Sequence, residues 1–358
     1  MAREAVLVSY RLGGTDGVSV EAEKWERALR VLGFTTRRIA GHICDEPRAD
    51  DVVVPGIAID APNGAADARP LAAALAGANL VVVENICSLP INVHASSTAS
   101  DALAGHRGRV AFHHHDLPWQ RAELASIRGF PPDLPGALHV VVNDRSRAEL
   151  ASRGIAAHTI RNTFDFDAPP GDRDPTRVEL GVADDDLVVL QPTRAIPRKN
   201  VPGGVRFAEA LAGFVPERRV VYWLTGPAED GYDRALARTM ATTPLRVVHG
   251  RSARPADAYA AADVVVFPST WEGFGNPVIE SVVARRPLAV HRYPVLYEIL
   301  AGLRVFSVDD PAEVAAWLRA PDRALLDANR DVARRDFSLA DLPGRLDAAF
   351  ARSGWTSW

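Results

Sequence analysis

Short runs of valine, leucine and isoleucine alternate along this chain with longer stretches in which alanine, leucine and arginine recur at helical spacing. Continuous apolar runs read as strands buried on both faces, and their alternation with amphipathic helices reads as parallel sheet. In the first half the pattern predicts strands over 5–10, 35–40, 51–54, 80–84, 110–114 and 138–143. Residues 163–177, with Pro169, Pro170, Gly171, Pro175 and several aspartates, have the composition of a linker. A second series follows, with strands over 187–191, 219–224, 245–249, 263–267 and 288–291 and helices near 201–213, 231–241, 255–261 and 277–285. The expected fold class is α/β: two Rossmann-like, doubly wound parallel-sheet domains in tandem, over 1–165 and 176–338, facing across a cleft. A helical pattern over 339–350 ends the chain, and the segment 339–358 is expected to pack back on the first domain.

Composition fits this plan and removes several classes of function. A length of 358 residues suits about two domains. A net charge of −4 with no basic tail argues against nucleic acid as a partner. Cys44 and Cys87 have no paired spacing, so no disulfide framework or thiolate metal knuckle is expected, and a reducing cytoplasm is the default compartment. No apolar stretch approaches the roughly 18 residues of a bilayer span, and the N-terminus runs directly into a strand, so neither export nor membrane insertion is expected. Of 41 cationic residues only Lys24 and Lys199 are lysines. Where so much else has become arginine, a retained lysine marks a place for a point ammonium.

In open α/β sheets ligands collect at the carboxyl ends of strands, and four such loops stand out. The first, Arg11 to Ser19, is glycine-rich and opens a helix. It can serve as an anion cradle through Gly14 and Thr15, or as a plain tight turn. It lacks the spacings of dinucleotide and P-loop motifs. The second, His113-His114-His115-Asp116, puts His113 and His115 on one face of a strand and His114 on the other. No spaced third ligand for zinc is evident, and imidazoles beside a carboxylate suit a polyhydroxylated ligand. The third, Gln191 to Asn200, sets Arg194 and Lys199 five residues apart across a proline-constrained turn leading into a helix, where both can converge on one phosphate group. The fourth runs from Pro268 to Glu280. Asn276 reads as a helix cap and Pro277 as the first helical residue, so Glu272 falls on the loop and Glu280 inside the helix, too far apart to act as an acid/base pair.

Together these loops resemble those of retaining GT-B glycosyltransferases of the family 4 type: Glu272 and Glu280 match the E-x7-E signature, in its Glu-Gly-Phe-Gly setting, and Arg194 and Lys199 match the Arg-x4-Lys motif. The resemblance implies a nucleotide diphosphate sugar as donor, UDP- or GDP-linked, held mainly by the second domain, and a hydroxyl acceptor held mainly by the first. It implies that Arg194 and Lys199 neutralise the departing diphosphate, with amides near Gly14 helping. Glu272 would hold sugar hydroxyls, Glu280 the nucleotide ribose, and His113 would lie near the reacting sugar. Gly273, Phe274, Gly275 and Asn276 would line the donor, with base recognition near Gly226 and Arg251. Asn85, His115, Asp116 and Asp16 would meet the acceptor. No metal and no cofactor beyond the donor substrate is expected. Residues 67–78 carry only Arg69 as a cation, so membrane association is not expected and the acceptor should be small and soluble, such as a sugar, a sugar acid or an aglycone. Two alternatives share these features: another GT-B enzyme such as a sugar-nucleotide epimerase, and a non-catalytic sugar-nucleotide-binding protein.

Overall fold

A computed structural model describes residues 3–64, 67–229, 231–250 and 254–356. It divides into two compact units: Met1–Thr163 with Leu339–Trp358, and Phe164–Ser338.

The first unit is built on β1 (Arg3–Leu12), β2 (Phe34–Ile43), β3 (Val52–Val53), β4 (Leu80–Glu84), β5 (Arg109–His114), β6 (Leu138–Val141) and β7 (Ala157–Thr159). They form one sheet in the order β3-β2-β1-β4-β5-β6-β7, parallel throughout. Every residue of β4 is buried, and the pleat divides them: Leu80 and Val82 face the core containing Trp25 and Leu29, while Val81 and Val83 face the one containing Ile86 and Leu103. The chain's last helix, Leu342–Arg352, belongs to this unit because Leu342, Leu346, Ala349 and Phe350 complete the core around Trp25. Each such side chain, fully buried, contributes about 1.5–3 kcal/mol for the larger ones.

The second unit holds β8 (Leu187–Gln191), β9 (Val220–Leu224), β10 (Arg246–His249), β11 (Val264–Phe267), β12 (Leu288–Val290) and β13 (Phe306–Ser307), in the order β10-β9-β8-β11-β12-β13 and again parallel. Both sheets are therefore the doubly wound sheets read from the sequence.

The segment 163–177 is not a solvated linker. Phe164 pairs with Ser338 and donates its N–H to Phe337 O at 2.7 Å, and Arg173–Glu179 is a helix. Arginine explains the difference: Arg177 is 2% exposed and donates to Ala261 O at 2.9 Å and Asp186 O at 2.8 Å, pinning this helix to the second unit. The second unit accordingly begins at Phe164 instead of 176. Asp186 belongs to the same framework, accepting from Arg219 Nε at 2.8 Å and Ala183 N at 2.7 Å. Strands β7 and β13 carry too little pattern to be read from sequence, at three and two residues.

Candidate active site

The loop after β8 is assembled by its neighbours. Asn200 adopts a left-handed φ of 49° and caps the helix Val201–Phe214, accepting from Gly203 N at 3.2 Å. Gln191 Nε2 donates to Lys199 O at 3.0 Å, and Tyr222 Oη donates to Gln191 Oε1 at 2.5 Å, which ties the turn to the sheet floor. On its other side the loop is zipped to the one after β9: Ala195 N donates to Pro227 O at 2.8 Å and Glu229 N to Ala195 O at 3.1 Å. Gly226 is required there, since a Cβ would stand 2.5 Å from Arg194 Cα. This zipper delivers Arg194 to Glu229, with Nη1 2.5 Å from Oε2.

Lys199 and Glu272 meet directly. Lys199 Nζ donates to Glu272 Oε1, and Arg198 Nη1 donates to Glu272 Oε2 and to Trp271 O. Burial by itself would raise the Glu272 carboxyl, but Lys199 and Arg198 overcome it and hold it at about 2, so it is ionised. Burial pushes the Lys199 ammonium below its ordinary value against the pull of Glu272, and Arg198 adds to that push. Three cations here face two carboxylates, Glu229 and Glu272. The excess positive charge, at the carboxyl end of β8, is what a diphosphate would neutralise. Sequence reasoning missed Arg198 and Glu229. The signal for the first was its position beside Lys199 in the same turn.

Glu280 is half-buried on the helix Asn276–Val283, where Tyr259 Oη donates to it. Gly275, not Asn276, is the N-cap, with φ 104°, and Pro277 takes the second helical position. A Cβ at 275 would run into Tyr293 Oη, which donates to Phe274 O at 2.9 Å, so the glycine is what lets the loop close over that tyrosine. Phe274 is buried, its ring 6.2 Å from Phe164 and 5.8 Å from Phe337. That ring is core, while Gly273 and Asn276 on either side of it are half-buried. Arg251 lies outside the described residues.

In the first unit, Glu84 lies opposite His113 in the parallel register of β4 and β5. Glu84 Oε2 accepts from His113 Nδ1 at 2.9 Å and from His115 Nε2 at 3.0 Å. Alternation along the strand puts His114 on the far face, 2.5 Å from Ser88 Oγ and 2.9 Å from His139 Nδ1. Glu84 thus supplies the third potential metal ligand that the sequence did not reveal, and the three groups lie within 4.8 Å of one another. Asn85, left-handed at φ 62°, accepts from His115 N at 3.2 Å and Asp116 N at 3.3 Å and so holds the turn that carries both. Asp116 pairs with Arg121 at 2.6 Å. Asp16 caps the helix Gly17–Val31 through Ser19 N at 3.2 Å and also takes Arg11 Nε at 3.1 Å, so its carboxylate already has structural partners. It occupies the helix N-terminus to which Gly14 and the exposed Thr15 lead.

The chain resembles known proteins over its whole length. Residues 194–320, from Arg194 past Glu280, match the family model described as glycosyl transferases group 1. A mannosylglucosylglycerate synthase of Thermotoga maritima is 26% identical, the alignment covering 94% of this chain and 97% of that protein. Sucrose-phosphate synthase from Thermosynechococcus elongatus superposes with a TM-score of 0.76 at 15% identity, over 99% of this chain and 100% of the other. The Anabaena protein HepE, crystallised with UDP and glucose, superposes with a TM-score of 0.72 at 17% identity, over 98% and 100%. The full-length superpositions and the two parallel sheets show that the chain has the GT-B fold, with residues 194–320 similar to glycosyl transferases group 1.

Proposed function

We propose that the chain is a retaining, metal-independent hexosyltransferase of the E-x7-E type, moving a sugar from a UDP- or GDP-linked donor to a hydroxyl of a small acceptor. The observation that carries the reading is the cluster of Arg194, Arg198 and Lys199 around Glu229 and Glu272 at the end of β8. Glycosyl transfer builds positive charge on the sugar and negative charge on the leaving group. Fixed cations at the leaving diphosphate lower that barrier without reorganising, and removing one such group typically costs about 3 kcal/mol, roughly a hundredfold in rate. In the resting cluster Glu272 pairs with both Lys199 and Arg198. A bound diphosphate takes over that duty, and the carboxylate is then free to accept from sugar hydroxyls. Glu280 takes the ribose in place of Tyr259. His113 lies near the reacting sugar, and His115, Asn85, Asp116 and Asp16 belong to the acceptor side.

The crystal of HepE with UDP and glucose supports a nucleotide sugar as donor. The name of the Thermotoga relative favours a sugar-acid glycoside among the candidate acceptors. Incubation with a panel of UDP-, GDP-, ADP- and TDP-sugars, first alone and then with small polyols and sugar acids, tests the reading. Slow donor hydrolysis and acceptor-dependent transfer with the anomeric configuration kept are expected. Isomerised donor would mean an epimerase, and binding without turnover a silent receptor.

A further inference from the structure

At the edge of the first unit's sheet, the carboxyl ends of β6 and β7 open onto a groove of about 700 Å³ that shares no residue with the diphosphate cluster or the acceptor groups. Parallel sheets gather ligands at that end. Asp144, Thr159 and Arg161 line the groove from the strand ends, and the helix Leu342–Arg352 lines it opposite. Along that helix Leu342, Leu346, Ala349 and Phe350 face the core, which turns Asp341, Arg345, Ala348 and Arg352, at spacings of four, three and four, to the other face. Gly344 and Ala348 are exposed and small, and a Cβ at Gly344 would meet nothing within 4 Å. The helix therefore brings charged side chains to the groove without filling it.

The sign of the groove follows from its pairing. Asp144 is taken three ways, by Thr159 Oγ1 at 2.7 Å, Arg161 Nη2 at 2.9 Å and Arg147 Nε at 3.2 Å. Asp341 meets Arg345 at 3.4 Å. Arg161 gives only Nη2 to a partner among the described residues, and its Nε is buried with none. Arg352, which is exposed, meets no carboxylate among the described residues. Four guanidiniums thus face two carboxylates, on a chain whose net charge is −4. The same field reaches His158 on β7, which burial first, and then Arg352 and Arg147, hold below its ordinary value. One exposed arginine contributes little, but several forks around one space match the oxygens of a phosphate.

We propose that this groove binds a phosphorylated sugar or small polyol, its phosphate held by Arg161, Arg345 and Arg352 and its hydroxyls by Thr159 and the two aspartates. A phosphomonoester carries about −1.5 to −2 charges near neutral pH, which matches the two positive charges in excess. The volume lies within the roughly 300–1,000 Å³ of small-molecule sites, more than bare phosphate requires. The site stands on the first unit alone and does not depend on the transferase reading.

Calorimetric titration of the full chain compares glucose 6-phosphate, inorganic phosphate and glucose on wild type, Arg352→Ala, Ala348→Glu and Arg194→Ala. Positions 348 and 352 are both exposed, so their variants keep the fold, which circular dichroism checks. The proposal expects saturable binding of glucose 6-phosphate that weakens about tenfold or more in Arg352→Ala and in Ala348→Glu, with the ligand slowing hydrogen exchange at 159–161 and 340–352. Arg194→Ala leaves that affinity unchanged, inorganic phosphate binds the same residues more weakly, and glucose does not bind. No binding with a Kd below about 1 mM would overturn the proposal. So would an affinity untouched by both groove variants, a loss in Arg194→Ala instead, or inorganic phosphate held as tightly as the sugar phosphate. No turnover enters these readings, so an inactive protein would count against the proposed function and not against this site.

Discussion

Replacing Glu272 by glutamine removes one negative charge and almost no volume, so its effect isolates the ion-pair cluster. In the folded protein this carboxyl is held at about 2 instead of its ordinary 4.5. A difference of that size between folded and unfolded chains corresponds to about 3 kcal/mol of stability. Because the folded value is the lower one, the contribution is fully present above pH 4.5 and is lost as pH falls toward 2. Glu272→Gln at pH 7 is therefore expected to be about 3 kcal/mol less stable, since it leaves Lys199 buried without its counter-ion. Adding Lys199→Met should recover much of the loss, because Arg198, with a side chain 26% exposed, can turn to water. The assay is denaturant unfolding at several pH values, read by hydrogen exchange of the backbone around β8 and β11 so that the second unit is followed by itself. The gap between wild type and variant should close as pH drops from 4.5. A gap that is the same at pH 7 and pH 3, or none at pH 7, would refute the reasoning.

Further expectations concern catalysis and the backbone. Arg194→Ala should lower turnover by about a hundredfold with the fold retained, and wild-type rates in a donor-consumption assay would remove it from the reaction. Gly275→Ala should destabilise by about 1–3 kcal/mol in thermal unfolding, since φ is 104° and a Cβ would meet Tyr293 Oη. Gly213→Ala, inside the helix Val201–Phe214 with open space around it, should be neutral or stabilising by up to about 1 kcal/mol. Asp16→Ala should cost about 1 kcal/mol through the lost cap, while Asp16→Asn should cost little. A matching drop in acceptor affinity for both would show that the carboxylate also meets substrate.

The sheets were legible because parallel strands buried on both faces leave unbroken apolar runs: β4 and β8 fall on the residues the pattern picked, Leu80–Glu84 and Leu187–Gln191. The segment 163–177 was misread because Arg177 serves as a buried anchor, and composition does not distinguish an arginine in a core from one in water. The pair of Lys199 with Glu272 was visible as two motifs but not as a contact, because 73 residues separate them in sequence. Glu84 was invisible as a partner of His113 and His115 for the same reason: parallel register across neighbouring strands brings them together, and no local spacing records it. Asn276 as a cap failed by one residue because Gly275 can adopt the left-handed conformation and the asparagine need not.

The most direct measurement is a crystal structure with a bound nucleoside diphosphate. The account predicts the distal phosphate at the end of β8, touching Arg194 and Lys199, with the Glu272 carboxylate released from Lys199. A diphosphate bound elsewhere, with Lys199 still paired to Glu272, would contradict it.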